Sequence, residues 1–448
     1  MRLNQCPKCG GPVNAVQPCV QYIEDIPPVR PHVTRLTTYR GLCPCCGEVA
    51  STHPLQVSTA CGAAGTHLGA RALALATYGL GTLAFPYTVL FYGHQLVAVL
   101  VFGITLLLVR PGPLSLPGAA AVGFLAAFSV ATEYQSAVYL LPLAVFFLVR
   151  VRPLPSRLAA ALAGALPPLV ALGIYHDAAF GAPWRTGYSF VANPFFASVH
   201  AQGFMGIGKP RWIPFAGSLF LPSKGLLFWT PVAALGLAGT WTYARRTERP
   251  LAVLRIVQVL LPVLFVSSMV YWDGGWTVGQ RHLTPLVPLL VTPAALLAVR
   301  APWVGALAPG LAAASVMMTG TATVVFPHLP ESFPNPFQDL VVPLAREGCL
   351  VPVRLGIDLP RLGSVLLLAA AFLALAAAAT LALARRTRVR ILALVLLVLL
   401  PAGWFAGSSG IARLDPERAR NDRAFLLHLC RKSLGEHPPG SAPTEPRP

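Results

Sequence analysis

From about residue 70 onward the chain is a succession of apolar runs that break at arginines. The runs lie near 70–88, 93–110, 116–132, 135–150, 158–176, 225–243, 252–271, 284–300, 303–325, 362–384 and 391–409. Each holds about 16–22 mostly apolar residues, close to the ~20 that a helix needs to cross ~30 Å of hydrocarbon. Over the 448 residues, hydrophobic residues make up 55% and charged residues 11%, against about 25% charged in soluble proteins. This excludes a water-soluble globule, a disordered chain, a coiled coil and a secreted disulfide scaffold. The expected fold is mostly α: a polytopic membrane helical bundle of about eleven spans. A small zinc-ribbon-like module precedes it, and a polar tail over 410–448 is expected to be disordered.

A net charge of +18 invites a nucleic-acid reading, but the distribution of charge gives another. When loops are numbered alternately, one set carries Arg110, Arg150, Arg152, Arg157, Arg245, Arg246, Arg249, Arg255, Arg300 and the arginines of 385–390, against one acid, Glu248. The other set balances its basic residues with Glu133, Asp177, Asp273, Glu331, Asp339, Glu347 and Asp358. The asymmetry is the positive-inside pattern, so topology accounts for most of the excess. The first set is expected in the cytoplasm, together with the N-terminus. With an odd number of spans the tail falls outside; one miscounted span moves it inside. No signal peptide is expected, because a polar, cysteine-bearing leader precedes the first apolar run. The setting is that of a bacterial inner membrane.

Residues 1–69 form a separate module with seven of the nine cysteines. CPKCGG (Cys6, Cys9) and CPCCG (Cys43, Cys45, Cys46) are two knuckles, and four thiolates suit a closed tetrahedral zinc site. The expected ligands are Cys6, Cys9, Cys43 and Cys46, with Cys45 an alternative to Cys46. Reduced cytosolic thiols without metal are the competing reading. Between the knuckles, VTRLTTYRGL reads as a strand. The run YIEDIPPVRPHVTRLTTYRGLCPCCGEVASTHPL followed by GTHLGARALALATY resembles the zinc-finger segment of insertion-sequence 66 family transposases, over about residues 3–78. The resemblance implies a segment that helps bind transposon ends, yet the acidic catalytic core and helix-turn-helix of that family do not follow it. The basic residues of this segment are spread out, a poor phosphate-binding stripe.

In the membrane domain (70–409), outer loops are expected over 177–224, 271–283 and 326–361. Glu133, Asp177, Arg185, Asp273, Arg281 and His282 all fall at outer span ends, where charges are costly unless paired or facing a water-filled cavity. The 177–224 loop is rich in aromatic residues (Trp184, Tyr188, Phe195, Phe196, Trp212), which either stack on a ligand or form an interfacial belt. The densest constellation is YWDGGW with Gln280, Arg281 and His282. Its two glycines permit a tight turn; Asp273 can accept from Arg281, and Arg281 can grip a phosphate. An internal Asp–Arg pair that merely holds the loop is the alternative. Lys209, Arg211 and Lys224 are further phosphate candidates. Walker, HExxH and GxSxG motifs are missing.

The blocks GTLAFPYTVLFYGHQLVA, ATEYQSAVYLLPL, FGAPWRTGYSF, GFMGIGKP, LFLPSKGLLFWTPV and YWDGGWTVGQRHLTPLVP resemble, in this order, the later portion of GT-C type membrane glycosyltransferases. That class contains protein mannosyltransferases and lipid A aminoarabinose transferases. About 78–345 carries the resemblance. It implies sugar transfer from a polyprenyl-phosphate donor on the outer face, with donor phosphate binding by Arg281, Lys209 and Arg211 and with Asp273 orienting Arg281. In those enzymes the catalytic carboxylate sits in the first outer loop; here the 87–92 loop holds no acid. Glu133 and Asp177 are the carboxylates available to replace it, although Glu133 also reads as a helix-end carboxylate satisfied by Tyr134 or backbone. The expectation is a glycosyltransferase scaffold truncated at the front and inactive unless one of them serves. The alternatives are a transposase-derived, DNA-binding zinc module anchored in the membrane, or a fusion product without selected activity.

Overall fold

The computed structural model describes residues 11, 68–110, 112–347, 361–383, 387–411, 421 and 424–428, and the backbone of three strands. Strands β1 (Asn14–Asp25), β2 (His32–Cys43) and β3 (Gly47–Ala50) pair antiparallel in the order β1-β2-β3. β2 is the strand expected between the knuckles. Cys6, Cys9 and Cys46 lie outside the described residues, and Cys43 is described only as the end of β2.

The rest is helical. α1 (Leu68–Gly81) and the short α2 (Ala84–Val89) lead into α3 (His94–Val109), α4 (Leu116–Thr132), α5 (Ala137–Arg150) and the long α6 (Leu154–Phe180). The aromatic-rich segment holds α7 (Pro194–His200), α8 (Trp212–Phe220) and α9 (Leu226–Trp229). After it come α10 (Ala233–Ala244), α11 (Arg249–Ser268), α12 (Val287–Arg300) and α13 (Pro302–Ser315). α14 (Thr321–Val325), α15 (Val342–Arg346), α16 (Arg361–Leu383) and α17 (Thr387–Ser409) complete the order.

Among the described residues five helical stretches are long and apolar enough to cross a membrane: 154–180, 249–268, 281–300, 302–325 and 387–409. α3, α4, 134–150 and part of α16 are apolar but shorter. Two expected spans are interrupted. Near residue 82 the Thr82 hydroxyl donates to the Tyr78 carbonyl (2.6 Å) and accepts from the Ala84 N–H (3.2 Å), separating α1 from α2. At 230–231 the chain leaves the helical conformation just before Pro231, which has no N–H to continue the ladder, so 225–243 divides into α9 and α10.

Burial separates the helices into two kinds. The most apolar window of 154–180 is 6% buried and that of 387–409 is 17%, whereas that of 302–325 is 72% buried. A helix apolar on all sides and uncovered by protein has its natural solvent in lipid. Its neighbours touch it through small residues, as in membrane bundles. α4 and α6 approach so closely that a Cβ on Gly123 would stand 1.8 Å from the Ala161 carbonyl oxygen, and one on Gly164 would stand 2.0 Å from that of Ala120. Gly236 and Gly239 bring α10 close to the backbone of α12 as well, where a Cβ would stand 2.6 Å from the Leu290 carbonyl oxygen and 2.4 Å from that of Pro293.

The main core joins Leu83, Tyr87, Trp229, Leu283, Leu286, Phe333, Phe337 and Leu344. The 326–361 stretch, expected as an outer loop, therefore contains a buried helical turn at Phe337–Val341 continuing into α15. Its apolar side chains have no reason to face water. Residues 424–428 of the expected disordered tail are helical, and Leu426 is buried in the same core.

Candidate functional site

The segment 271–283 between α11 and α12 carries the site, and buried donors from four places fix its course. Lys224, 1% exposed, donates to the carbonyls of Gly275 (2.5 Å) and Thr277 (3.1 Å) and to the Thr277 hydroxyl (3.1 Å). The Tyr87 hydroxyl donates to the Val278 carbonyl (2.9 Å), and Tyr139 donates to that of His282 (2.7 Å). Gln280 Nε2 closes the loop on itself through the Trp272 carbonyl (2.5 Å). Gly274 and Gly275 have φ of +70° and +79°, the left-handed region that glycine enters at least cost. Losing one of these donors would leave a buried acceptor short of a partner, except at Gly275, whose carbonyl also accepts from the Thr277 hydroxyl (3.3 Å).

So held, the loop forms one wall of a cavity of about 580 Å³ at the ends of α3, α4 and α11 away from the arginine-rich turns. Tyr92 and His94 from the start of α3, Glu133 and Gln135 from the α4–α5 turn, Gly274, Arg281 and His282 line it. Tyr188, Phe195, Phe196 and His200 of the aromatic segment, with Tyr271 and Glu331, complete the rim. The 133–136 turn is set by the end of α4, where the Glu133 N–H bonds to the Ser129 carbonyl (2.9 Å).

Two carboxylates line this cavity, Glu133 and, on its rim, Glu331; Glu133 is the one beside the histidines. Its Oε1 lies 3.5 Å from His94 Nδ1, and its Oε2 accepts from Gln135 Nε2 at 3.4 Å. Its side chain is 25% exposed, open to a ligand. Burial pushes its carboxyl above the usual range; the charge of Arg281, the Gly93 backbone and Gln135 pull in the opposite direction. Tyr134 does not satisfy it: that hydroxyl pairs with His176 Nε2 at 2.6 Å, while His176 Nδ1 bonds to the Pro183 carbonyl (3.0 Å).

Arg281 stacks over the Tyr92 ring, 5.2 Å from its centroid, and among the described residues its Nε is buried without a hydrogen-bond partner. Both ring nitrogens of His282 and Nε2 of His94 are likewise buried without partners. The His94 and His282 rings stand 5.5 Å apart, edge to face. A Cβ on Gly274 would stand 3.2 Å from Arg281 Nε and 3.3 Å from His282 Nε2, so two partnerless nitrogens flank the one residue that leaves that space open. Among the described residues no acid forms an ion pair with Arg281. The arrangement is an uncompensated cation and neutral donors beside a carboxylate, able to receive an oxyanion and a hydroxyl together.

The other sequence-derived residues fall elsewhere. Asp273 makes no ion pair with Arg281; it sits near Lys224 and Glu331, and burial first, then Glu331, raises its carboxyl while Lys224 opposes. Lys224 is occupied in holding the loop, and burial lowers it to about 8. Arg211 uses Nη2 on the carbonyls of Met269 (2.5 Å) and Val270 (3.3 Å), bracing the loop's entry. Lys209 and Asp177 are exposed and do not line the cavity. Both Glu331, which accepts from the Tyr271 hydroxyl at 2.5 Å, and the loop-holding tyrosines were missed as site residues. YWDGGW marked the Tyr271 partner of Glu331, but nothing in spacing connects 331 to 271, or Tyr87 and Tyr139 to Val278 and His282. Among the described residues no group of His, Cys, Asp and Glu has metal-site geometry.

No protein-family model, curated protein or solved structure matches the chain.

Proposed function

We propose that the cavity binds a polyprenyl-phosphate sugar and transfers the sugar to an acceptor hydroxyl, on the outer face of a bacterial inner membrane with the N-terminus in the cytoplasm. The observation that carries this reading is Glu133 and Arg281 in one cavity, with no acid among the described residues forming an ion pair with Arg281. The ordered motifs resembling GT-C glycosyltransferases support it. Arg281 and the flanking histidine nitrogens hold the donor phosphate. Glu133 takes the proton of the acceptor hydroxyl as its oxygen bonds to the sugar carbon. The sugar–oxygen bond breaks with its electron pair leaving on the phosphate, where Arg281 stabilises the charge. Tyr188, Phe195 and Phe196 supply faces for the sugar or the first lipid units.

This reading assigns the base to Glu133, since the 87–92 loop holds no acid. Asp273 is a loop residue in this scheme, and Lys209 and Arg211 lie outside the donor phosphate. The cysteine module keeps its proposed structural zinc at Cys6, Cys9, Cys43 and Cys46, and contact with nucleic acid belongs to that module alone. The test is equilibrium binding of a radiolabelled polyprenyl-phosphate sugar to the full chain in lipid nanodiscs, beside Arg281→Ala. Saturable binding that Arg281→Ala weakens supports the reading. Folded protein that binds no such donor rejects it in favour of a fusion product without selected activity.

A further inference from the structure

The arginine-rich end of the bundle, opposite the cavity, holds a second constellation that sugar transfer does not use. α10 packs against both α11 and α12. This brings together Tyr243 on the last turn of α10, Arg255 on the second turn of α11 and Arg300, the last residue of α12. The Arg300 guanidinium lies over the Tyr243 ring, 4.9 Å from its centroid. The charges of Arg300, Arg246 and Arg255 all act on the Tyr243 phenol.

Among the described residues, the Tyr243 hydroxyl, Thr247 Oγ1 and Arg255 Nε are buried without a hydrogen-bond partner. The nearby acid is no remedy, because Glu248 is paired with Arg150 at 3.0 Å. Other arginines of this end are occupied: Arg152 Nη1 bonds to the carbonyls of Leu148 and Val151, and Arg157 Nε to that of Leu114 (3.0 Å). Buried donors normally find acceptors. Two hydroxyls and a guanidinium nitrogen left without them, among arginines whose one nearby acid is already paired, match the needs of an oxyanion with several acceptor oxygens.

The position selects the source. The donors sit where apolar helices end, at the depth of lipid headgroups, and basic pockets between membrane helices bind anionic headgroups. We infer that Tyr243, Thr247, Arg255 and Arg300 form a binding site for a phosphodiester oxyanion, supplied by the headgroup of an anionic lipid in the leaflet this end faces.

The experiment is lipid retention by the purified full chain, offered phosphatidylglycerol and phosphatidylcholine in equal amounts and read by native mass spectrometry. Wild type is expected to retain phosphatidylglycerol over phosphatidylcholine by roughly 30-fold, about what two arginines near the surface supply. Arg255→Gln with Arg300→Gln brings the ratio close to one, while Arg157→Gln, on α6, which packs on α4, leaves it unchanged. Tyr243→Phe with Thr247→Val removes the two hydroxyls and keeps every charge; a drop of several-fold in this variant supports the site even if the arginine variant does not fold. Displacement of phosphatidylglycerol by millimolar inorganic phosphate would overturn the lipid source and leave a site for free phosphate. Equal retention of the two lipids by wild type, or a preference untouched in folded Tyr243→Phe, Thr247→Val protein, would overturn the site itself.

Discussion

Lys224 Nζ donates to the carbonyl of Gly275 across 51 residues of chain, at 2.5 Å, and to both oxygens of Thr277. A lysine that stands next to an outer loop in sequence reads as a ligand for phosphate; in the fold it is the brace of the loop that carries Arg281. Lys224→Met removes three hydrogen bonds and leaves their acceptors buried. The expected cost is about 1–3 kcal/mol for unsatisfied groups, seen as a lowered midpoint of thermal unfolding in detergent, with weaker donor binding following. An unchanged midpoint and affinity would show that the brace is dispensable.

Arg281 is expected to behave differently, because among the described residues no acid forms an ion pair with it. Arg281→Ala should leave the unfolding midpoint close to wild type and weaken polyprenyl-phosphate binding by roughly 10- to 100-fold, the loss of one or two charge-assisted hydrogen bonds. Isothermal titration separates the two variants: Lys224→Met loses both stability and affinity, Arg281→Ala only affinity. Undiminished affinity in Arg281→Ala would remove the arginine from the site.

The α4–α6 contact predicts a third outcome. With a Cβ at Gly123 only 1.8 Å from the Ala161 carbonyl oxygen, Gly123→Leu must force the helices apart. Overpacking of this kind costs about 1–3 kcal/mol or more. At Gly79 of α1 a Cβ meets nothing within 4 Å, so Gly79→Ala should be tolerated or mildly stabilising. Thermal unfolding of the two variants side by side checks both; equal midpoints would contradict the close approach.

The cysteine module predicts metal. Purified chain should carry about one zinc per molecule, in keeping with four thiolates in a closed site, and lose it when Cys9 and Cys46 are replaced by serine. Elemental analysis showing metal-free wild-type protein would sink that proposal, and would leave the membrane part of the account standing.

The helical, membrane character of the chain was legible because it depends on composition and run length, which packing does not alter. Helix ends were less so: the breaks at Thr82 and Pro231 come from one hydroxyl and one missing N–H inside apolar runs, which hydropathy does not register. The 326–361 stretch resembled a loop because its polar residues and prolines outnumber any clean period, yet Phe333, Phe337 and Leu344 are buried against Trp229 and Tyr87. At the site, Arg281 and Glu133 were visible as costly charges near span ends. Their partners were not. Which of Lys224, Asp273 and Arg211 faces a cavity is decided by contacts between residues far apart in sequence, and Lys224 and Arg211 bond to backbone carbonyls that no side-chain pattern advertises.

The most direct test of Glu133 as the base is the pH profile of sugar transfer by the full chain in lipid, with Glu133→Gln and Asp177→Asn beside it. A base works deprotonated, and burial raises the Glu133 carboxyl from 4.5, so the rate should climb with pH through a midpoint above the ordinary carboxylate range. Glu133→Gln should lose transfer by at least the 10²–10⁴-fold typical of a general base, while donor binding persists; Asp177→Asn should match wild type. Transfer that survives in Glu133→Gln with the same profile would contradict the account.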